Sequence, residues 1–182
     1  KSFPFNANPF TVTTANRNRW IVIFRAMDRK ERKKISYAHT TFICTAAFAN
    51  GIHAFINPIM ITDGSREVRL IIFQPHFFAR FRERLGIRKT GIDLVADYFL
   101  KNYSYYYGLQ DQNTENMEWP GTRIYGTSKQ GIGLGIIQSE SRTLFKTFIT
   151  YEMMHQAQFS IFTQNEILRQ REIAQYQSSP LH

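Results

Sequence analysis

The sequence predicts an α+β fold: an antiparallel β meander, two central helices, a second antiparallel three-stranded segment and a C-terminal helix. Three observations carry that expectation. Runs of β-branched and aromatic residues punctuated by Asn50-Gly51 and Asp63-Gly64 fill the chain before residue 75. Pro75 and Gly86 bracket a stretch with helical apolar spacing. Short strand-like runs separated by tight polar turns return after residue 121.

Taken in order, residues 1–19 are rich in Asn, Thr and Pro and read as an extended lead-in. Trp20 to Met27 is a strong β-former run. Ile35, Tyr37, His39 and Thr41 alternate with Ser36, Ala38 and Thr40, the period of a strand. A turn at Asn50-Gly51 would pair 42–49 with 52–57. A turn at Asp63-Gly64 would pair 55–61 with 66–73 and set Phe55 opposite Ile72. Pro58 cannot donate to a ladder, so a bulge or an edge belongs there. Four antiparallel strands result.

Phe77, Phe78, Phe81 and Leu85 then share an arc of about 100°, wide enough to seat a helix on a core. Ile92 to Lys101 carries Ile92, Val95, Ala96, Phe99 and Leu100 at helical spacing. After a polar loop over 102–121, strands are expected at about 122–127, 132–138 and 143–150, with turns at Ser128–Gly131 and Ser139–Arg142. Glu152 to Tyr176 has helix formers and an apolar stripe through Phe159, Phe162, Ile167 and Ile173. The organisation expected is one domain over residues 1–182: a meander to 74, a helix–helix–β core over 75–151, then the helix and tail over 152–182.

Bulk composition narrows the class. Hydrophobic residues make up 43% and aromatics 15%, with 16 Phe, enough for a bulky core rather than a disordered chain. No run approaches the roughly 18 apolar residues of a membrane span. One cysteine, Cys44, excludes an internal disulfide and a cysteine-based zinc site, and points to a reducing, cytoplasmic setting. Charge is unevenly placed. Residues 1–90 hold 16 Lys and Arg against 5 Asp and Glu, a net of +11, whereas residues 91–182 hold 7 against 9. A basic half of this kind suits a polyanion such as RNA.

The sharpest constellation is His76, Arg80 and Arg84. Stepping by four, they line the edge of the buried face of the first helix. Arginine offers bidentate donors to phosphate oxygens, and histidine moves a proton near neutral pH. Cleavage of RNA by its own 2′-OH needs both services. His76-x3-Arg80-x3-Arg84, followed by Gly86-Ile87, a second helix and a hairpin ending in Lys146-Thr147-Phe148-Ile149-Thr150, resembles RelE-type and BrnT-type bacterial toxins. These belong to the barnase–EndoU–colicin–RelE-like ribonucleases. The resemblance covers about residues 76–151. It implies a helical segment ahead of an antiparallel sheet and metal-free RNA cleavage on that sheet. His76 would transfer the proton, Arg80 and Arg84 would clamp the phosphate, and Lys146 and Thr150 would assist from the last strand.

Further cations suit the backbone of a nucleic acid: Arg29, Lys30, Arg32, Lys33 and Lys34 in a charged connector, then Arg82, Arg88 and Lys89. The connector also fits a solvated turn. Tyr103, Tyr105, Tyr106 and Tyr107 suit base stacking or ordinary packing. Gly131-Ile132-Gly133-Leu134-Gly135 opens no helix, so it reads as glycines that let strands approach rather than as a phosphate loop. Glu152-x-x-His155 has no second copy, and His39, Cys44 and His53 do not converge in the expected register; no metal or other cofactor is expected. The function expected is binding of RNA or another phosphate-bearing partner, extended by the resemblance to metal-independent cleavage. The alternative is a non-catalytic protein-interaction module using the meander or the C-terminal helix.

Overall fold

The computed structural model describes residues 5–15, 18–26, 29, 39–56, 59–62, 65–68, 70–102, 106–109, 121–139, 141–156, 159–160, 163 and 167. The Trp-Ile-Val-Ile-Phe run forms β3 (Arg19–Ala26), whose alternation sends Ile21 and Ile23 into the core. The lead-in is extended but not idle. Its β1 (Phe5–Asn6) and β2 (Phe10–Thr13) both pair with β3 along one edge. β3 pairs antiparallel with β4 (His39–Phe48), and β4 with β5 (Gly51–Ile56).

The first hairpin differs from the expected register by two residues. Phe48 stands opposite Gly51, so Ala49-Asn50 is the tip and Gly51 opens the return strand. Gly51 is needed for a different reason from a turn position. Its φ is +121°, and a Cβ there would lie 2.9 Å from Cβ of Pro75. The hairpin thus rests against the head of the first helix.

The second hairpin keeps the expected register but is cut in two. Phe55 faces Ile72, as the sequence implies, with β8 (Leu70–Phe73) as the partner strand. Further out, β6 (Ile59–Thr62) and β7 (Ser65–Val68) continue the same offset as a separate ribbon. Asp63-Gly64 lies outside the described residues, but Thr62 and Ser65 pair on either side of it. The described pairing stops at Ile56 and resumes at Ile59, and Pro58, where a bulge or an edge was expected, lies outside the described residues.

The three later strands form almost where expected: β10 (Arg123–Ser128), β11 (Gly131–Ser139) and β12 (Arg142–Ile149). A further strand within the expected polar loop, β9 (Tyr106–Leu109), pairs with β10. The two β segments do not stay apart. β8 and β12 pair in parallel, Leu70 to Phe73 beside Arg142 to Phe145, and all the described strands except the β6–β7 ribbon join into one ten-stranded sheet. Its order is β1-β3-β4-β5-β8-β12-β11-β10-β9, with β2 also on β3.

The helices α1 (Pro75–Arg84) and α2 (Gly91–Lys101) cover one face of this sheet. Phe77, Phe78 and Phe81 of α1 meet Phe73, Phe145 and Phe148 of the sheet and Tyr98 of α2. Most of these rings meet edge-on, which matches positive ring edges to negative faces and is worth about 0.5–1.5 kcal/mol per pair beyond burial. The carbonyls ending α2 meet a buried cation. Arg25 donates to the Phe99 carbonyl at 3.3 Å and to Oδ1 of Asn6 at 2.8 Å, while Asn6 donates to the Leu100 carbonyl at 3.2 Å. A guanidinium there complements the negative helix end. Among the described residues no helix is long and apolar enough to cross a membrane.

Most of the stretch expected as the C-terminal helix lies outside the described residues. Tyr151–Met153 forms a 3₁₀ turn, and beyond it the Phe159 N–H donates to the His155 carbonyl at 2.9 Å. Of the charged connector, only Arg29 is described, and it is exposed.

Asp97 on α2 is 3% exposed and receives Lys89 at 2.5 Å and Lys101 at 2.7 Å. Burial pushes its carboxyl upward, but the two ammonium groups outweigh that and hold it below its ordinary value. A depressed folded-state pKa contributes stability above the unfolded value, and that contribution disappears as pH falls through the folded one. Urea midpoints should therefore drop as pH is lowered from about 5 to about 2, and the drop should be smaller in Asp97→Asn. An equally steep curve in the variant would remove Asp97 from the account. Gly51→Val should cost about 1–3 kcal/mol through backbone strain and the clash with Pro75; an unchanged urea midpoint would contradict that packing.

Candidate functional site

The expected row on α1 forms, but its three members do different work. Phe77, Phe78 and Phe81 are buried, so the register of the helix places His76, Arg80 and Arg84 along the rim of that face. His76 is exposed, and its Nε2 accepts a hydrogen bond from Nε of Arg80 at 3.3 Å. Arg80 also pairs with Glu83 at 2.6 Å, both side chains well exposed, a contact worth about 0–1 kcal/mol. Arg84 turns inward and donates to the Phe148 carbonyl of β12. It ties helix to sheet. The solvent-facing part of the row is therefore the His76–Arg80 pair, with Arg82 and Arg88 exposed nearby in sequence.

The other expected groups divide as well. Lys89 is engaged by Asp97. Lys30, Arg32, Lys33 and Lys34 lie outside the described residues. Thr150 is buried and starts the 3₁₀ turn: its carbonyl accepts from the Met153 N–H at 3.1 Å. Glu152, held below the usual carboxylate range by its own backbone N–H and by the side chain of Thr150, completes that turn. Thr150 is the N-cap residue of that turn, through its carbonyl rather than its side chain.

Lys146 stands on the face of the sheet away from α1. Its exposure and its place in the lining of a hollow with Leu134, Ile136 and Thr147 decide this. Leu134 faces both Tyr125 and Thr147, Ile136 faces Arg123 and Leu144, and these side chains share one side. Phe145, Phe148, Ile124 and Ile137 point the other way, into the core beneath the helices. Lys146 and the His76–Arg80 pair therefore share no common cleft, because the sheet lies between them.

That outer face holds a feature the sequence reading missed. Arg123, Tyr125, Leu134, Gly135, Ile136, Lys146 and Thr147, with Ile124, line a hollow of about 300 Å³. Arg123 opens a short strand, and nothing in its local sequence separates it from any exposed arginine. Only pairing across three strands brings it to the hollow that Lys146 borders. The usable signal was the excess of glycine in β11, which marks close strand approach.

Cys44 and His53 lie on neighbouring strands but build no site. Burial pushes the Cys44 thiol up, away from its reactive form. The His53 ring packs between Phe48, edge-on at 4.8 Å, and Phe55 at 6.2 Å. Among the described residues no group of three or more His, Cys, Asp or Glu side chains is placed to hold a metal.

If Arg84 is a tie rather than a ligand group, Arg84→Ala should lower stability by about 1–3 kcal/mol, the cost of stranding a part-buried carbonyl. Chemical denaturation with RNA titration checks this; unchanged stability with lost RNA affinity would return Arg84 to the binding surface. No family model, curated protein or solved structure matches the chain.

Proposed function

We propose that the protein binds RNA or a similar phosphate polymer through the exposed rim of α1 and the loop after it. The observation that carries this reading is the state of the cations there. Arg82 and Arg88 are exposed and make no ion pair with any described residue, and Arg80 is held beside His76 at 3.3 Å. Unpaired, exposed guanidinium groups release counterions when they meet phosphate, and that release drives the association. The +11 balance of residues 1–90 adds long-range attraction of the same sign.

The reading stops at binding. The geometry does not favour cleavage by the full set inferred from the toxin resemblance. Lys146 lies across the sheet, Thr150 caps a turn, and Arg84 is spent on Phe148. His76 beside Arg80 remains the pair through which a proton transfer would run.

A second reading, a protein-interaction module, draws on the outer face of the meander. Phe42 and Phe48 of β4 are each 56% exposed, and Phe10 of β2 is 46% exposed. Scattered exposed apolar residues are ordinary, but these three lie on neighbouring strands of one face.

One titration separates the two readings. Binding to a mixed single-stranded RNA pool should weaken steeply as salt rises, by a slope of about 0.7 per phosphate contact. Arg82→Gln/Arg88→Gln should reduce that slope by about 1.4 if each arginine meets one phosphate. Absence of binding at low salt by folded protein would remove the RNA reading and leave the interaction surface.

A further inference from the structure

We propose that the hollow between Arg123 and Lys146, on the face of the sheet away from the helices, binds a small aromatic phosphate of nucleotide size. The site is separate from the α1 rim and does not depend on RNA binding there.

The site is built by an irregularity in the sheet. In a regular strand Lys146 and Thr147 would point to opposite faces. Here Thr147 stands opposite Leu134 while Phe145 stands opposite Gly135, so β12 carries one residue more than β11 across that step. Lys146 is the extra residue of a β-bulge. The bulge lets two consecutive side chains, Lys146 and Thr147, line the same hollow. It also presses the strands together: a Cβ on residue 135 would collide with the Leu144 carbonyl oxygen, so only glycine fits there. Bulges recur where a strand has to re-aim a side chain at a site.

The chemistry of the lining selects the ligand. Leu134 and Ile136 are half-buried and give the hollow an apolar floor over β11. Arg123 stands on β10 in the rung of Ile136 and Leu144, and Lys146 stands on β12 two strands across and two residues further along. Among the described residues neither cation has an ion pair or a hydrogen bond, and no carboxylate lines the hollow. Two cations facing one apolar floor call for an anion carrying more than one charge. A phosphate ester has close to two at neutral pH, and the arginine fork, the ammonium and the Thr147 hydroxyl all donate to its oxygens. A planar ring packs against the apolar side chains of Leu134 and Ile136. About 300 Å³ is at the low end for ligand sites and has room for one nucleotide, not for a folded polymer.

The test is calorimetric titration of the whole protein with AMP, and separately with adenosine and with inorganic phosphate. AMP should bind at or below about 1 mM, and adenosine and phosphate each at least about tenfold more weakly, because each lacks half of the contacts. Arg123→Gln and Lys146→Gln, both at exposed positions, should each weaken AMP binding about tenfold with the circular dichroism spectrum unchanged. Arg82→Gln/Arg88→Gln should leave it intact. A short 5′-phosphorylated oligoadenylate that competes through Arg123 and Lys146 would identify the phosphate as a strand end, and AMP binding without such competition would identify a free nucleotide. The proposal is overturned if folded wild type does not bind AMP, if adenosine binds as well as AMP, if the Arg123→Gln/Lys146→Gln double variant keeps wild-type affinity, or if the α1 variant loses AMP. Loss of RNA binding alone leaves it standing.

Discussion

The parallel ladder between β8 and β12 is the contact on which the rest of the molecule depends. It joins Leu70–Phe73 to Arg142–Phe145 and turns two antiparallel segments, far apart in sequence, into one sheet. Backbone bonds just outside it extend the seam: the Leu70 N–H donates to the Ser141 carbonyl at 2.7 Å, and the Gln74 N–H to the Phe145 carbonyl at 3.0 Å. The same register stacks Phe73 on Phe145, with ring centroids 5.0 Å apart. That stack is the floor on which Phe77 and Phe78 of α1 stand. Separate the two strands and the aromatic floor beneath α1 divides. A join of this kind closes a long loop, and its bonds and ring stack offset the entropy that closure costs.

The charge is best understood by asking which cations the fold has already used. Arg25 ends α2, Arg84 grips β12, and Lys89 and Lys101 share Asp97. Each of these meets an acceptor in the chain and adds to stability more than to any outside partner. Arg82, Arg88, Arg123 and Lys146 make no such contact among the described residues. They fall into two groups on opposite sides of the sheet. A total of +9 conceals this division, and so does the sequence-level split into a basic and a neutral half, because Arg123 and Lys146 belong to the neutral half.

The two faces of the sheet are chemically unlike. Beneath the helices, rings fill the space and Phe73, Phe77, Phe81, Phe145 and Phe148 are fully buried. The other face mixes apolar side chains with cations, and among the described residues Tyr151 and Met154 pack on one corner of it, over Tyr125, Ile132 and Ile149. A dry aromatic side supplies rigidity; a mixed side supplies surface chemistry. Binding residues placed on strands are held more firmly than residues placed on loops, and the bulge at Lys146 borrows that firmness.

Local pattern carried a large share of the fold. The helical spacing of Phe77, Phe78 and Phe81 between Pro75 and Gly86, the strands around 123–149 and the Phe55–Ile72 pairing were legible because each follows from side-chain period and turn chemistry within a few residues. The hairpin at Asn50-Gly51 was legible as a turn but not in register. Gly51 answers to Pro75, which lies on another element. β9 and the pairing of the lead-in with β3 carried no strong signal, since edge strands borrow their stability from the neighbour they join. For the site, sequence alone could align His76, Arg80 and Arg84 on one helix edge. It could not say that Arg84 would turn to Phe148, that Thr150 would cap a turn, or that Lys146 would stand across the sheet beside Arg123. Period and spacing act along the chain, whereas the bulge, the parallel seam and the facing of Arg123 and Lys146 arise from contacts between residues that only the folded sheet brings together.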